Sequence, residues 1–479
     1  MKSLLTERSV NVQIFLLTIA TIFLFPIGAY GSTDDAVALL KWKASLIHQN
    51  NNSVLSSWTS LVPNTQNRSS SEKMPTMYWC NWSGVSCNSD GSVTRLNLSS
   101  LSLSGTLNAF EFSSFSNLTH FELSINNFSG IIPAGIVKWC DPTRDLSIEV
   151  LSVLALYANA LTGSIPICLG NISNLSELHL ENNSLIGTIP NSLGNLSKLT
   201  ILNMFANQIH GLIPPEIGRL SSLQWLNLYN NSLTGPIPGS LGRLQSLTIL
   251  RLYSNNLSGP IPEELGNLTS LVSLSASNNR LNGSIPKSFG NLLQLQNLYL
   301  GRNQFSGSLP QELGNLKLVV LELSENNFSG SLPDRHICDG GILELLLVGR
   351  NNLTRLMPQS LYNCTSLVRV RFDGNQVTGN ISEIFGVYPR LRFINLNDNK
   401  LYGGLSDNWG KCTNLTTMQV GGNNINGSIP PSLANSNQIQ VLNLSFNHLV
   451  GKIPKEFGRM NRLLNLVISN NQLSKVHYP

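Results

Sequence analysis

The chain has 479 residues, only 12% of them charged, and its formal net charge of +5 is not concentrated in any run of Lys or Arg. The sequence therefore lacks a basic stripe that could follow a phosphate backbone, which argues against nucleic acid as a partner. The composition is uniform from about residue 93 to the end, which favours one repeated unit over several unrelated domains.

The N-terminal segment has the pattern of a secretory signal peptide. Lys2 and Arg8 precede an apolar run from Val12 to Ile27, and small residues follow up to Gly31. We assign residues 1–31 to the signal peptide and expect the chain to enter the secretory pathway. No later stretch approaches the roughly 20 apolar residues that a membrane-spanning helix needs.

The sequence also predicts N-linked glycans. About twenty Asn-x-Ser/Thr sequons occur along the chain, and behind a signal peptide many of them would be modified. Examples are Asn97, Asn117, Asn171, Asn256, Asn327 and Asn414. Because charged residues are scarce, we expect glycans to supply much of the surface hydration.

One sequence motif, called the repeat phrase below, recurs through the rest of the chain. From Leu154 onward, Leu-x-x-Leu-x-Leu-x-x-Asn-x-Leu-x-Gly-x-Ile-Pro recurs about every 24 residues. Two earlier units, anchored at Leu96 and Phe121, bring the total to about sixteen. The spacing between Phe121 and Leu154 is stretched by a segment around 138–147, and a similar excess covers 61–77, which we interpret as surface loops. The later anchors are Leu178, Leu202, Leu226, Leu250, Leu274, Leu298, Leu321, Leu346, Val370, Ile394, Met418, Leu442 and Leu466.

A coil this short cannot bury its own leucines, so neighbouring coils must stack to form a continuous core. The alternating part of the phrase predicts a strand, with Leu250 and Leu252 inward and Arg251 and Tyr253 outward. The Asn of each phrase, such as Asn255, predicts a ladder of buried amides that satisfy backbone groups. The fold class is therefore an α/β solenoid, a superhelix with a parallel concave sheet and short helical turns after each Pro.

The spacing and the Ser-Gly-x-Ile-Pro phrase resemble the plant-specific leucine-rich-repeat class. Residues 364–372, 385–389 and 408–412 are similar to the male-discoverer-interacting receptor-like kinases. This resemblance implies a membrane-spanning receptor that senses a secreted peptide and recruits a leucine-rich-repeat co-receptor kinase, with this chain at the extracellular face of the plasma membrane or in the apoplast. It also implies that residues 32–92 are the plant-type N-terminal cap and that residues 93–479 are the repeats, the last one truncated.

The seven cysteines imply disulfides with one thiol left over. Cys80 and Cys87 lie in a stretch that resembles the cysteine motif of the plant cap, and we expect them to pair and close the cap over the first coil. Cys338 and Cys364 lie about one repeat apart, which could place them on neighbouring coils within disulfide reach. Cys140 and Cys168 are a third candidate pair, and Cys412 is the expected free, buried thiol.

The sequence contains no signature of catalysis. Kinase motifs, a Ser-His-Asp arrangement and metal-spaced His or Cys clusters are all missing, so we expect no enzyme, no metal and no cofactor. The chain stops at Pro479 in mid-repeat, and we interpret it as part of a longer receptor. The alternative is a secreted inhibitor of a cell-wall-degrading enzyme, similar to polygalacturonase inhibitors.

The candidate ligand site is a set of outward residues on four successive coils. It contains aromatic, amide and charged side chains, a composition typical of binding hot spots, although the aromatic residues could instead merely cover the sheet. The residues are Glu181, Asn203, Phe205, Trp225, Asn227, Tyr229, Arg251 and Tyr253.

A second candidate ligand site is the pair Arg369 and Arg371, which flank an inward Val370. They resemble the Arg-x-Arg pair with which plant peptide receptors hold a ligand's terminal carboxylate. Guanidinium groups match a carboxylate geometrically. The alternative is that this pair is solvated or neutralised by Asp373.

Overall fold

A computed structural model describes residues 33–47, 53–59, 78–133, 150–333, 337–338 and 340–474. The predicted signal peptide at 1–31 lies outside the described residues, as do the segments around 61–77 and 138–147 that were interpreted as surface loops.

A sheet of seventeen short strands forms the concave face. Its first two strands are antiparallel, and every later neighbour is parallel and in register, as in the pairing of Leu226 with Leu250. In chain order the strands are β1 Val85–Cys87, β2 Val93–Asn97, β3 His120–Glu122, β4 Val153–Ala155, β5 Glu177–His179, β6 Ile201–Asn203, β7 Trp225–Asn227, β8 Ile249–Arg251, β9 Ser273–Ser275, β10 Asn297–Tyr299, β11 Val320–Glu322, β12 Leu345–Leu347, β13 Arg369–Arg371, β14 Phe393–Asn395, β15 Thr417–Gln419, β16 Val441–Asn443 and β17 Asn465–Val467.

The predicted anchor residues occupy the central position of β3 to β17, and Leu96 is the fourth of the five residues of β2. From Leu96 to Leu442 each anchor is at most 1% exposed, while its two strand neighbours point to the concave side. This alternation follows from the two-residue side-chain period of a strand. Because the strands are parallel and in register, equivalent outward residues of successive coils form continuous columns along the concave face.

Shorter sheets run along a second side of the solenoid. Their strands follow the Asn position of the repeat phrase by one to three residues, and most of them include its Gly. A three-stranded sheet comprises Ser104–Thr106, Asn127–Ile131 and Ala160–Thr162, and a seven-stranded sheet comprises His210–Gly211, Ser232–Gly235, Asn256–Pro260, Arg280–Gly283, Gln304–Ser308, Asn327–Gly330 and Asn352–Leu353. Thr378–Asn380, Lys400–Gly404 and Asn424–Asn426 form another, and Val450–Gly451 pairs with Gln472–Leu473.

Helical turns complete most coils after the Pro, as the phrase predicts. Two α-helices, Thr33–Ser45 and Ile381–Ile384, depart from this rule, the second standing where the Ile-Pro ending is missing. The 3₁₀ helices are Ser53–Ser57, Tyr78–Asn81, Phe112–Ser114, Ile167–Asn171, Asn191–Asn195, Pro215–Arg219, Gly239–Arg243, Glu263–Asn267, Lys287–Asn291, Gln311–Asn315, Gln359–Asn363, Asp407–Lys411, Pro431–Asn435 and Lys455–Arg459.

The buried Asn residues form the predicted ladder. Asn255 is typical: its Nδ2 donates to the backbone oxygens of Leu228 and Leu252 at 3.0 and 3.1 Å, and its Oδ1 accepts from the backbone nitrogen of Leu233 at 3.0 Å. One side chain thus satisfies backbone groups of its own coil and of the preceding coil. An unpaired buried backbone group costs roughly 1–3 kcal/mol, which explains why the position is so regular.

The N-terminal helix covers the apolar end of the first coils. Asp35 Oδ2 accepts from the backbone nitrogen of Val93 at 2.8 Å, and the Trp42 ring stacks on Phe128 with centroids 5.8 Å apart. The first coil has no preceding coil to cover its apolar side chains, and the helix takes that place.

Disulfides lie at two of the expected positions. Cys80 is bonded to Cys87, with the Cα atoms 5.5 Å apart. Cys338 is bonded to Cys364 with the Cα atoms 5.3 Å apart, and this bond links neighbouring coils. Cys168 is also disulfide-bonded, whereas Cys140 lies outside the described residues. Cys412 is free and buried.

Candidate functional site

Three aromatic side chains, Phe205, Tyr229 and Tyr253, form a continuous stack on the concave face. Each lies two residues beyond the end of β6, β7 or β8. The ring centroids of Phe205 and Tyr229 are 4.2 Å apart with 11° between the planes, and those of Tyr229 and Tyr253 are 4.3 Å apart with 12°. In-register parallel strands place equivalent residues about 4.8 Å apart, which imposes this stacking. All three rings are partly exposed, and we call them the aromatic stack.

A row of polar side chains runs beside the aromatic stack. Its members are the last residues of β5 to β8, namely His179, Asn203, Asn227 and Arg251, and we call them the polar row. The Nδ2 of Asn203 lies 3.1 Å from the Nδ1 of His179, and the Nδ2 of Asn227 donates to the Oδ1 of Asn203 at 2.6 Å. Both amides are buried, so the two hydrogen bonds are shielded from solvent.

Two buried oxygen atoms at this site have no hydrogen-bond donor among the described residues. They are Oε2 of Glu181 and Oδ1 of Asn227, on side chains that are 6% and 3% exposed. A buried acceptor without a donor costs roughly 1–3 kcal/mol. A ligand that brings an N–H or O–H group to these atoms would recover that free energy.

His179 lies between two carboxylates of its own coil. Its Nε2 is 3.0 Å from Oε2 of Glu177, and its Nδ1 is 3.7 Å from Oε1 of Glu181. Burial disfavours the imidazolium, but hydrogen bonds to Glu181 and Glu177 and the charges of both outweigh burial, so the pKa of His179 is raised above its ordinary value. The ring of Tyr157 on the preceding coil lies with its centroid 6.3 Å away.

Trp225 and Arg251 border the aromatic stack. Trp225, the first residue of β7, is 42% exposed. A ligand on the concave face could cover its ring. Arg251 is half-buried and has no carboxylate within ion-pair distance in the part of the chain that the structure describes. Burial, and then the neighbouring Tyr253, raise the pKa of Tyr229 to about 12, so the hydroxyl group of Tyr229 stays neutral and can donate. Exposed Trp, Tyr and Arg together are typical of binding hot spots.

The Arg pair lies at the two ends of β13, five strands along the sheet from β8, and its members have different surroundings. Nε and Nη2 of Arg371 donate to the two carboxylate oxygens of Asp373 at 3.0 and 2.9 Å, and this hydrogen bonding raises the pKa of Arg371. Arg369 is exposed, and its guanidinium carbon lies 4.1 Å from the centroid of the Phe393 ring. Asp373 therefore neutralises Arg371, whereas Arg369 is accessible to a ligand.

Three further residues belong to this face but were not selected from the sequence. His179 precedes Asn203 by one repeat period, so continuing the same column backwards would have found it. Leu345 and Leu347 are half-buried on the concave side of β12, beside the Arg pair. The run of leucines there hides the alternation, because inward and outward positions carry the same residue type.

Within the described ranges, no group of three or more His, Cys, Asp or Glu side chains is placed to hold a metal ion. A search of the same ranges finds no helix with the length and apolar character required to cross a membrane.

Comparisons with known families identify the repeats. The leucine-rich repeat N-terminal domain matches residues 32–71 and 75–88, and the leucine-rich repeat region matches residues 131–289. The single leucine-rich repeat matches residues 294–316, 414–436 and 438–460. The curated MDIS1-interacting receptor like kinase 2 of Arabidopsis thaliana is 39% identical over 126 residues, 26% of this chain and 11% of that protein. The chain thus matches only a small part of this relative's length.

Solved structures extend the similarity to most of the chain. The plant peptide hormone receptor RGFR1 in complex with RGF2 is 30% identical, with a TM-score of 0.62 over 79% of this chain and 71% of that one. The Arabidopsis receptor kinase HAESA ectodomain, in complex with an extended IDA peptide hormone, is 29% identical, with a TM-score of 0.66 over 93% and 82%. HAESA has also been solved with IDA and the co-receptor SERK1, and there the identity is 28%, with a TM-score of 0.60 over 92% and 86%.

Proposed function

Because this chain belongs to the family of plant leucine-rich-repeat receptor ectodomains, we propose that its concave sheet binds a secreted peptide and that it acts with a leucine-rich-repeat co-receptor kinase. One observation carries the proposal: the partly exposed aromatic stack lies beside two buried acceptor atoms that have no donor among the described residues. An extended peptide supplies both missing partners, since its side chains cover the rings and its N–H groups donate.

The dimensions of the sheet indicate the length of such a ligand. From β5 to β13 there are eight strand steps, about 38 Å at 4.8 Å per step. An extended peptide advances about 3.3 Å per residue, so about twelve residues would span this distance. In this arrangement the half of the peptide farther from Arg369 lies on the aromatic stack, and apolar side chains near the other end contact Leu345 and Leu347.

We propose that the C-terminal carboxylate of the peptide binds Arg369. This guanidinium is exposed and held against the Phe393 ring, which limits its freedom before binding. Arg371 already pairs with Asp373, so its role in this proposal is to fix the local geometry and not to supply an unneutralised charge.

The proposed function can be tested with a synthetic library of twelve-residue peptides presented to this chain after expression through a secretory pathway. For a captured peptide, calorimetry should show weaker binding to Trp225→Ala and to Tyr253→Ala, by about 1–4 kcal/mol each if these are hot spots. Tyr402→Ala, which truncates an exposed ring on a lateral strand, serves as the control and should bind normally. Unchanged affinity of both site variants would contradict the proposed position of the ligand.

The carboxylate contact has its own test. Amidation of the C-terminus of the captured peptide and the substitution Arg369→Gln should each weaken binding, and the two changes together should cost little more than either alone. If amidation has no effect on affinity, the carboxylate role is wrong. Inhibition of a polygalacturonase by the chain, without capture of any peptide, would support the inhibitor function instead.

A further inference from the structure

Two exposed Asn residues border the aromatic stack on the side where the strands end. The backbone nitrogen of Asn182 donates to the backbone oxygen of Phe205 at 3.0 Å. Asn230 directly follows Tyr229, and its backbone nitrogen donates to the backbone oxygen of Tyr253 at 3.0 Å. Both Asn residues belong to a column of positive φ that we call the strand-end rim, which consists of Asn182, Ala206, Asn230 and Ser254.

Both Asn residues also begin an acceptor sequence for N-linked glycans. Ser184 and Ser232 stand two positions further on, where the Asn-x-Ser/Thr pattern requires a hydroxyl residue. Neither Asn side chain makes a hydrogen bond or an ion pair with another described residue. Attachment of a sugar to Nδ2 therefore breaks no contact within the described fold. The sequon at Asn97 differs, because its Nδ2 donates to Oε2 of Glu122 at 3.1 Å.

The opposite border of the site, where the strands begin, has no sequon on the coils of β7 and β8. The position three residues before the strand is Ser222 for β7 and Ser246 for β8, and we call these two residues the strand-start rim. On other coils the same position does begin a sequon, as at Asn174 and Asn414. The position is thus compatible with a glycan, and the two coils that hold Trp225 and Arg251 lack one there.

The nearest sequons on this side belong to the flanking coils. Asn195 and Asn267 end the 3₁₀ helices that precede β6 and β9, and each lies six residues before its strand. The corresponding residues before β7 and β8 are Arg219 and Arg243, both exposed. Trp225, which is 42% exposed, begins β7 and so lies next to this sequon-free border.

Glycans on the strand-end rim would obstruct one side of the site only. Asn182 and Asn230 are two strand steps apart, about 10 Å. N-linked glycans are bulky and hydrated, so one at each position would keep a folded protein away from Ala206 between them and from the adjoining edge of the aromatic stack. The strand-start rim stays accessible, because neither of its coils carries a glycan on that side.

We propose that Asn182 and Asn230 are N-glycosylated and that their glycans direct a protein partner to the strand-start rim. The partner is a folded extracellular protein that reaches the aromatic stack over Ser222, Ser246 and Trp225. From the proposed function this takes only the concave face as the binding site, together with the expected passage of the chain through the secretory pathway.

Glycopeptide mass spectrometry of this chain, expressed through the secretory pathway of plant cells, measures the modification. Asn182 and Asn230 should each carry a glycan in most molecules. Ser184→Ala and Ser232→Ala each remove one sequon, and each should lower the mass of the intact chain by one glycan. A chain in which either Asn is mostly unmodified would overturn the proposal.

The direction of approach is measured with nanobodies, small folded proteins selected against the glycosylated chain. Those that lose binding to Trp225→Ala contact the site. Ser246→Asn creates a sequon that ends at Thr248, and the new glycan on the open rim should abolish their binding. The matched control combines Ser246→Asn with Thr248→Ala, lacks the sequon and should bind normally. If Ser246→Asn is not secreted, Lys198→Asn replaces it, because it creates a sequon that ends at Thr200 on the coil of β6.

Selection against the double variant Ser184→Ala and Ser232→Ala provides the reciprocal test. Without glycans on the strand-end rim, some nanobodies that need Trp225 should tolerate the glycan created by Ser246→Asn. If none does, the natural glycans do not close that rim and the proposal fails.

Three results with the fully glycosylated chain would also overturn the direction of approach. They are binding that survives the glycan created by Ser246→Asn, equal loss of binding in the Thr248→Ala control, and the absence of any nanobody that depends on Trp225. None of these measurements uses a peptide. Failure to capture a peptide from the library would therefore contradict the proposed function separately, without deciding how a protein reaches the site.

Discussion

Individual residues of the concave face divide into exposed rings and buried polar atoms, and these two groups affect binding differently. The rings of Tyr229 and Tyr253 offer area that almost any apolar side chain can cover, so they contribute affinity with little selectivity. The unpaired oxygens of Glu181 and Asn227 penalise a ligand that covers them without a donor, which makes them selective.

The raised pKa of His179 predicts a pH dependence of stability. A group whose pKa is higher in the folded state stabilises the fold below its unfolded pKa, near 6.5, and loses that contribution as the pH rises through the folded pKa. The wild type should therefore lose stability relative to His179→Gln as the pH is raised, by about 1.4 kcal/mol per unit of pKa shift at most. Urea unfolding of both chains across this range measures the difference.

His210→Gln is the matched control, because that ring is exposed on the lateral strand His210–Gly211. It should follow the wild type at every pH. A constant difference between His179→Gln and the wild type over the whole range would show that the carboxylates do not bind the imidazolium preferentially.

The sequence predicts the columns of the concave face but not the depth of their side chains. Period-two alternation places Asn203 and Asn227 outward, and it does so correctly. Their burial and their hydrogen bonds across coils are not encoded by that local pattern. The pairing of Arg371 with Asp373 is different, because a two-residue spacing on one strand is visible in the sequence.

Each coil is held to the next by the Asn ladder as well as by leucine packing. Asn255→Ala would remove four hydrogen bonds to backbone groups of two coils, and we expect it to destabilise the fold by about 2–4 kcal/mol. Hydrogen exchange should show the loss of protection mainly around Leu233 and Leu252. Asn291→Ala, at an exposed helix end, should change stability by no more than about 0.5 kcal/mol.

The 3₁₀ helices of successive coils approach each other so closely that their Gly residues have no room for a side chain. A Cβ atom on Gly242 would overlap the backbone oxygen of Glu264 on the next coil. Gly242→Ala should therefore lower the thermal midpoint. Gly458→Ala is the control, since no described atom would lie within 4 Å of its Cβ. Equal midpoints for the two variants would show that the coils can separate without cost.

These elements were largely predictable because the repeat phrase specifies them one by one. The anchors from Phe121 to Leu466 mark the strand centres, and the prediction of short helical turns after Pro holds for Asn191–Asn195. Prediction was weaker where the phrase changes, as at the α-helix Ile381–Ile384, whose Asn380 cap accepts from the backbone nitrogen of Ser382. The structure at this helix depends on contacts between coils, and the sequence of one repeat does not specify those contacts.

The whole molecule is a one-dimensional array, in which each coil touches only its neighbours. The free energy of unfolding is then approximately the sum of the stabilities of the single coils and of the interfaces between neighbours. A substitution that weakens one interface need not weaken distant ones. The aromatic stack and Arg369 lie five strand steps apart, about 24 Å, and can accordingly be altered separately. A single ligand that contacts both patches would link regions that the fold itself leaves nearly independent.

The disulfide between Cys338 and Cys364 provides the test of this independence. It closes a segment with a sequence separation of 26 at the place where the repeat spacing slips, and the chain-entropy estimate for such a loop is about 3.5 kcal/mol. In the double variant Cys338→Ser and Cys364→Ser, hydrogen-exchange protection should fall around β12 and β13 but stay unchanged at the aromatic stack. A peptide that contacts only the stack should bind with unaltered affinity, whereas one anchored at Arg369 should bind more weakly. Uniform loss of protection from β2 to β17 would instead mean that the solenoid unfolds as one cooperative unit, and the two patches could then not be treated as separate parts of the site.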